Sequence, residues 1–255
     1  MDLNDEHRRA VFFEVHAGLP RQGPGRNLYT ARAFQMIPPS ERGRILDIGC
    51  GPGTPTLELA RLGAGPVIGI DTHLPFLHEL VTRARAAGLG SSVSAVCASM
   101  ENIPFPDGSF DIFWAEGSIY NIGFERGLRS WRTLLRPGGY GALHEAAWLR
   151  PDPPEEIREF WKAMYPGMTT VEECLRIIRA CGYESIAHFA LPPEAWWEEY
   201  YGPLQENILR LRKRYEGDPR ALAVLDEEAL EVDMFRRYGD YFGAVFFIMR
   251  RGDAS

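Results

Sequence analysis

The sequence predicts an α/β chain built on a parallel sheet with helices on both faces. Three observations carry this. Apolar strand-like runs alternate with helical patterns through residue 150. A glycine-rich bend, Gly49-Cys50-Gly51-Pro52-Gly53, follows the first run directly. A second apolar run, Val67 to Ile70, ends on an acidic residue, Asp71. Strand–helix alternation of this kind gives parallel strands joined by right-handed crossovers. Ligands then sit at the carboxyl ends of the strands.

The elements follow in order. Ile45, Leu46 and Ile48 form the apolar run of a strand covered on both faces, with Asp47 at its end. Thr54 and Pro55 read as a helix start, with Thr54 as N-cap. Leu74, Leu77, Leu80, Val81 and Ala84 mark one helical face, stopped by Gly88. Val93–Cys97 and Phe110–Trp114 are the third and fourth strands, and a short helix runs from Gly127 to Leu135. The turn Arg136-Pro137-Gly138-Gly139 launches a fifth strand, Tyr140–Ala147. After Pro151, Pro153 and Pro154 come two helices, Glu155–Tyr165 and Thr169–Ala180, then a strand from Tyr183 to Leu191. A long helical stretch from Pro193 to Tyr238 breaks near Gly217-Asp218-Pro219, and residues 243–249 form a last buried strand. The expected organisation is an N-terminal segment, 1–22, and one domain, 23–255, with helical caps at 152–182 and 193–238.

Composition narrows the partners. The chain has 255 residues, 45% of them hydrophobic, enough for one sizeable core with a cap. A net charge of −7 argues against a nucleic-acid backbone as partner. No apolar run approaches the roughly 20 residues of a membrane helix, and Met-Asp-Leu-Asn-Asp-Glu lacks the pattern of a signal peptide. Four cysteines show no paired metal-ligand spacing, so neither a metal site nor a disulfide is expected. Cys174 and Cys181, seven apart on one helix, are separated by about 10 Å, beyond disulfide reach. A reduced, cytoplasmic protein follows, as monomer or homodimer.

The bend identifies a ligand class. Free backbone N–H groups and the positive end of a helix dipole face it, which suits an anionic group. Asp71 stands where a carboxylate accepts hydrogen bonds from both ribose hydroxyls. The spacing is G-x-G-x-G rather than the G-x-G-x-x-G of dinucleotide enzymes, and Asp47 would repel a pyrophosphate while attracting an ammonium or sulfonium. The run Asp47 to Gly53 followed by Asp71 resembles the cofactor site of class I S-adenosylmethionine-dependent methyltransferases.

That resemblance implies a seven-stranded, Rossmann-like sheet, S-adenosylmethionine as cofactor, S-adenosylhomocysteine as product and a small-molecule acceptor. It extends from Gly23 to about Trp148. Thr72, Ser99 and Met100 fall where the family holds the ribose and cups the adenine, although the family more often carries an acid at the Ser99 position. Glu116-Gly117-Ser118-Ile119-Tyr120-Asn121 resembles the loop beside the transferred methyl group, and Leu135 to Gly139 the hairpin into the fifth strand. A narrower resemblance, to uncharacterised bacterial small-molecule methyltransferases, covers nearly the whole chain and implies no particular acceptor.

The expected cofactor contacts are therefore Asp47, Gly49, Gly51, Gly53, Asp71, Thr72, Ser99, Met100 and Glu116. Glu116 and His144 are the candidate general bases. Alternation along the strand sends His144 and Glu145 to opposite faces, so one of the two reaches the pocket. Tyr120, Asn121, Trp196 and Trp197 are candidate acceptor-pocket residues, the tryptophans as part of an aromatic lid with Tyr200 and Tyr201 or as filling between cap and sheet. Arg21 or Arg26, in the glycine-rich loop before the first core helix, pairs with the cofactor carboxylate or merely belongs to a linker. Competing readings are a protein that holds the cofactor without turnover and, less favoured, an NAD-dependent oxidoreductase. The N6-adenine methyltransferase reading is disfavoured because the loop at Glu116 lacks the Asn/Asp-Pro-Pro-aromatic sequence.

Overall fold

The computed structural model describes residues 5–63 and 65–252. Its centre is one mixed sheet. Strands β1 (Ile45–Ile48), β2 (Val67–Asp71), β3 (Val93–Cys97), β4 (Phe110–Glu116) and β5 (Leu135–Trp148) are parallel, and β6 is a two-residue strand, Thr169–Thr170, beside β5. Strands β7 (Tyr183–Ala190) and β8 (Phe242–Arg251) close the sheet antiparallel. The order is β3-β2-β1-β4-β5-β8-β7, the seven strands expected. The sequence pattern did not reveal β6, because Thr169 and Thr170 directly precede α7 and read as its first turn. Thr170 is in fact the cap of that helix, accepting from the Glu173 N–H.

Two apolar cores flank the sheet. Ile45, Val67, Ile112, Trp114, Ala142, Phe246 and Ile248 point to one face, Leu46, Ile48, Ile70, Phe113, Leu143, Val245 and Phe247 to the other. The first face is covered by α1 (Glu6–His16), α2 (Asn27–Gln35), α3 (Thr54–Arg61), α4 (Leu74–Ala86) and α6 (Glu155–Met164) together with a helical cap. The cap comprises α8 (Glu194–Trp196), a π-helical turn (Trp197–Tyr201), α9 (Gly202–Arg214) and α10 (Pro219–Tyr238). The second face packs on α5 (Phe124–Trp131) and α7 (Val171–Ala180).

Helix α1 lies inside the segment that sequence analysis left without structure. Its Val11 and Val15 are fully buried in the first core, and it packs on α9 and α10. Only two of its apolar residues are sealed among charged neighbours, so its pattern is weak. The start of α3 also differs from expectation. Gly53, at φ 84°, is the cap, and Thr54 is the first helical residue. The Thr54 hydroxyl instead donates to the Pro20 carbonyl at 2.8 Å, tying the glycine bend to the loop before α2.

The chain visits β1, β2 and β3 on one side, then returns to place β4 on the other side of β1. This reversal leaves a crevice over the carboxyl ends of β1 and β4. Asp47 and Glu116 stand there.

Phe113 fixes the spacing between β4, β5 and α5. It is sealed from solvent and meets Trp131 and Tyr183 edge to face. A Cβ at the neighbouring Gly141 would lie 2.3 Å from its ring. Gly141→Ala is therefore expected to destabilise the fold by about 1–3 kcal/mol through overpacking. Urea denaturation checks this, and an unchanged midpoint would contradict it.

Candidate cofactor and acceptor site

The bend after β1 is shaped by three left-handed glycines with different roles. Gly49 has φ 72°, and a Cβ there would lie 2.5 Å from the Ser118 Cβ. A Cβ on Gly53 would lie 2.2 Å from Leu80. A Cβ on Gly51 meets only the Gln22 side chain, at 3.6 Å. Gly49 and Gly53 thus let the bend pack against the protein, while Gly51 borders open space. Gly49 and Gly51 line the cavity above the bend, and Gly53 does not.

Asp71, at the end of β2, accepts from the Gly51 N–H at 3.0 Å and from the His73 N–H at 2.8 Å. Each carboxylate oxygen so holds one backbone amide and keeps a lone pair for a ligand hydroxyl. Asp47 is almost wholly buried, and the Thr56 hydroxyl donates to it at 2.5 Å. Burial pushes its carboxyl up to about 7, against the Thr56 hydrogen bond and with the repulsion of Glu116 and Asp71 added.

Glu116, at the end of β4, is saturated. It accepts from the Arg21 guanidinium at 2.7 Å, the Thr30 hydroxyl at 2.7 Å and the Trp114 indole N–H at 2.9 Å. Arg21 and Glu116 form a buried ion pair, and Arg21 donates further to Glu199 and Asn27. Arg26 pairs with Glu198 in the cap. Both arginines of the loop thus have protein carboxylates as partners.

His144 lies opposite Glu116 on β5, with its Nε2 3.9 Å from the Glu116 Oε2. It lines the cavity and is buried, which drives its imidazole down to about 4. The ring is neutral near pH 7. Glu145 points to the other face, outside the cavity lining; one oxygen accepts from the Ala146 N–H, and the other has no partner among the described residues. Burial pushes its carboxyl up to about 8.

Together these residues border a cavity of about 460 Å³. Thr72, Ser99, Met100, Tyr120 and Asn121 also line it. Trp196 and Trp197 do not: Trp196 stacks on Phe235 at 4.5 Å, and Trp197 packs on Tyr201 and Phe235, filling the seam between cap and sheet. Their spacing on one helical stretch carries the signal for this seam. Sequence reasoning missed His16 and an aromatic wall in which Phe13 of α1 stacks on His73 at 3.9 Å, with Phe76 beside them. These residues come from elements distant in sequence, and no local spacing joins them.

The sequence profile of the methyltransferase-domain family matches residues 45–139, from β1 through the turn into β5. The 27-O-demethylrifamycin SV methyltransferase of Amycolatopsis mediterranei is 28% identical over 193 residues, spanning 71% of this chain and 70% of that protein. Residues 45–139 match a methyltransferase domain, and the fold is that of solved S-adenosylmethionine-dependent methyltransferases. Methyltransferase GfsG of Streptomyces halstedii is 33% identical over 56% of this chain, which spans about half, 54%, of that relative's length. In fold, it is similar to an S-adenosylmethionine-dependent methyltransferase of Geobacter sulfurreducens solved with S-adenosyl-L-homocysteine, with a TM-score of 0.79 at 20% identity over 94% of this chain and 97% of that one.

The site fits this cofactor on its own chemistry. Gly51 leaves room at the bend, Asp71 offers free lone pairs, and Asp47 is a buried acid that forms no ion pair among the described residues. Asp71→Ala is expected to weaken S-adenosylhomocysteine binding by about 1–3 kcal/mol. Calorimetric titration checks this, and unchanged affinity would contradict the role of Asp71.

Proposed function

We propose that this methyltransferase moves the methyl group of S-adenosylmethionine to a small-molecule acceptor by in-line displacement. The observation that carries this reading is the single cavity wall shared by Gly51, Asp71, Asp47 and His144, which spans the cofactor cradle and the space beyond β4. The rifamycin-tailoring relative supports a small molecule as acceptor. When bound, the cofactor supplies an activated methyl on a good leaving group. The chain must align the acceptor and exclude water.

Of the two candidate bases, His144 is the free one. Glu116 is engaged by three donors and serves better to hold Arg21 and the cavity wall in place. The neutral His144 ring accepts a proton from an acceptor hydroxyl or ammonium. Thr72, Ser99 and Met100 form the ribose and adenine end, Tyr120 and Asn121 the acceptor end. In a one-domain reading, α6 and the cap at 193–238 cover the first face, while α7, the second half of the 152–182 element, packs on the second. No helix among the described residues is long and apolar enough to cross a membrane. Four free cysteines, three of them buried, support a reducing, cytoplasmic setting.

The first test is transfer of a labelled methyl group from S-adenosylmethionine into a metabolite extract, followed by mass spectrometry. A labelled small molecule is expected, and label found only in protein or nucleic acid would overturn the reading. On the acceptor so identified, His144→Asn is expected to lower kcat by about 10²–10⁴-fold while leaving S-adenosylhomocysteine affinity unchanged. Full turnover would remove His144 from the chemistry.

Asp47 gives a pH dependence. The cofactor ammonium favours the ionised carboxylate, which is populated only above about 7. Affinity for S-adenosylhomocysteine should therefore rise, by up to about tenfold, between pH 6 and 8. Asp47→Asn should flatten that rise in calorimetric titrations; an identical slope in the variant would contradict it.

A further inference from the structure

A cofactor carboxylate needs donors, and the glycine bend itself has none to spare. The Gly49 and Cys50 N–H groups both donate to the Ile70 carbonyl, Gly51 donates to Asp71, and Gly53 donates to the Cys50 carbonyl. Pro52 has no N–H. The structure thereby departs from the expectation of free amides along the bend. Donors are left only in the first turn of α3 and among side chains.

The cations of the wall are committed too. Arg21 is the one arginine that lines the cavity, and no lysine does. Its guanidinium is held by Glu116 at 2.7 Å and Glu199 at 3.3 Å, and it donates to Asn27 and Thr30 as well. Arg26 pairs with Glu198 at 2.8 Å. Burial drives the His16 and His144 rings down to about 4, so both are neutral near pH 7. An anion entering here meets dipoles rather than an uncompensated charge.

Gln22 supplies such a dipole. It lines the cavity, and its Cγ lies 3.6 Å from where a Cβ on Gly51 would be. Its Nε2 donates to the His16 carbonyl at 3.1 Å. That oxygen only accepts, which fixes the orientation of the amide. The second N–H of the same nitrogen has no acceptor among the described residues. The backbone on either side is tied down. The Pro20 carbonyl takes the Thr54 hydroxyl at 2.8 Å, and the Gly25 N–H donates to the Ala195 carbonyl at 2.9 Å.

Building on the methyltransferase reading, we propose that Gln22 holds the carboxylate of the cofactor's amino-acid end through this second N–H. The ammonium and the carboxylate share one carbon. An ammonium drawn to Asp47 therefore brings the carboxylate to the wall beside the bend, where Gln22 lies over Gly51. A neutral amide suits this position. A cation would repel the neighbouring ammonium, whereas an amide binds the carboxylate without doing so.

The test is calorimetry of the full chain with three probes: S-adenosylhomocysteine, its decarboxylated analogue S-adenosyl-3-thiopropylamine, and 5′-methylthioadenosine, which lacks the whole amino-acid end. The parent should bind S-adenosylhomocysteine about tenfold or more tighter than the decarboxylated analogue, the size of one hydrogen bond to a charged group. Gln22→Ala should erase most of that preference and leave the affinity for 5′-methylthioadenosine unchanged, which also reports an intact fold. Gln22→Glu should invert it, because a carboxylate there repels the first probe and attracts the ammonium of the second. The assignment is overturned if the parent lacks the preference, if the preference survives Gln22→Ala, or if that substitution weakens all three probes equally. In each of those cases S-adenosylhomocysteine bound to the parent leaves the methyltransferase reading standing. If the parent binds none of the three probes, both fall together.

Discussion

The buried ion pair between Arg21 and Glu116 is where the sheet, the N-terminal loop and the cap meet. Both side chains are about 96% shielded, so neither charge is screened by water. Arg21 reaches Glu116 at the end of β4, Asn27 on α2 and Glu199 in the π-helical turn. Removing either partner would leave an uncompensated charge in a dry site, at a cost of about 3–5 kcal/mol. The pair therefore fixes the loop over the cavity. Glu116 takes three donors, while the His144 ring across the ladder has no hydrogen bond closer than its 3.9 Å approach to Glu116 among the described residues.

The glycine bend shows how a familiar spacing distributes its work. All three glycines have positive φ, and Gly49 and Gly51 both line the cavity, yet only at Gly51 would an added Cβ meet nothing closer than 3.6 Å. Gly49 and Gly53 make room for Ser118 and Leu80 instead. The Asp71 carboxylate then clamps the Gly51 amide, so strand β2 stabilises the bend after β1. A substitution at Gly49 or Gly53 would act through packing, and one at Gly51 through the ligand.

Most of the sheet was legible because its strands are short apolar runs punctuated by glycine and proline, and the acidic residues fall at their ends. Asp47, Asp71, Glu116 and His144 could be located for the same reason: strand register alone places them at one edge. What the sequence hid lies across elements distant in the chain. The cavity role of His16 depends on α1 crossing α10, and the ion pairing of Arg21 on a turn some 180 residues away. Trp196 and Trp197 illustrate the reverse case, since a cluster of aromatics reads equally as a lid or as filler, and only packing against Phe235 and Phe242 decides. Thr54 is a cap by residue type, but its hydroxyl is drawn to the Pro20 carbonyl because the left-handed Gly53 already starts the helix.

All of this depends on the strand ends forming a cradle for an adenosyl methyl donor. The most direct measurement is calorimetric titration of the purified chain with S-adenosylhomocysteine and, separately, with NAD. One S-adenosylhomocysteine per chain with no detectable uptake of NAD is the predicted result. Binding of NAD in the absence of any affinity for S-adenosylhomocysteine would contradict the account.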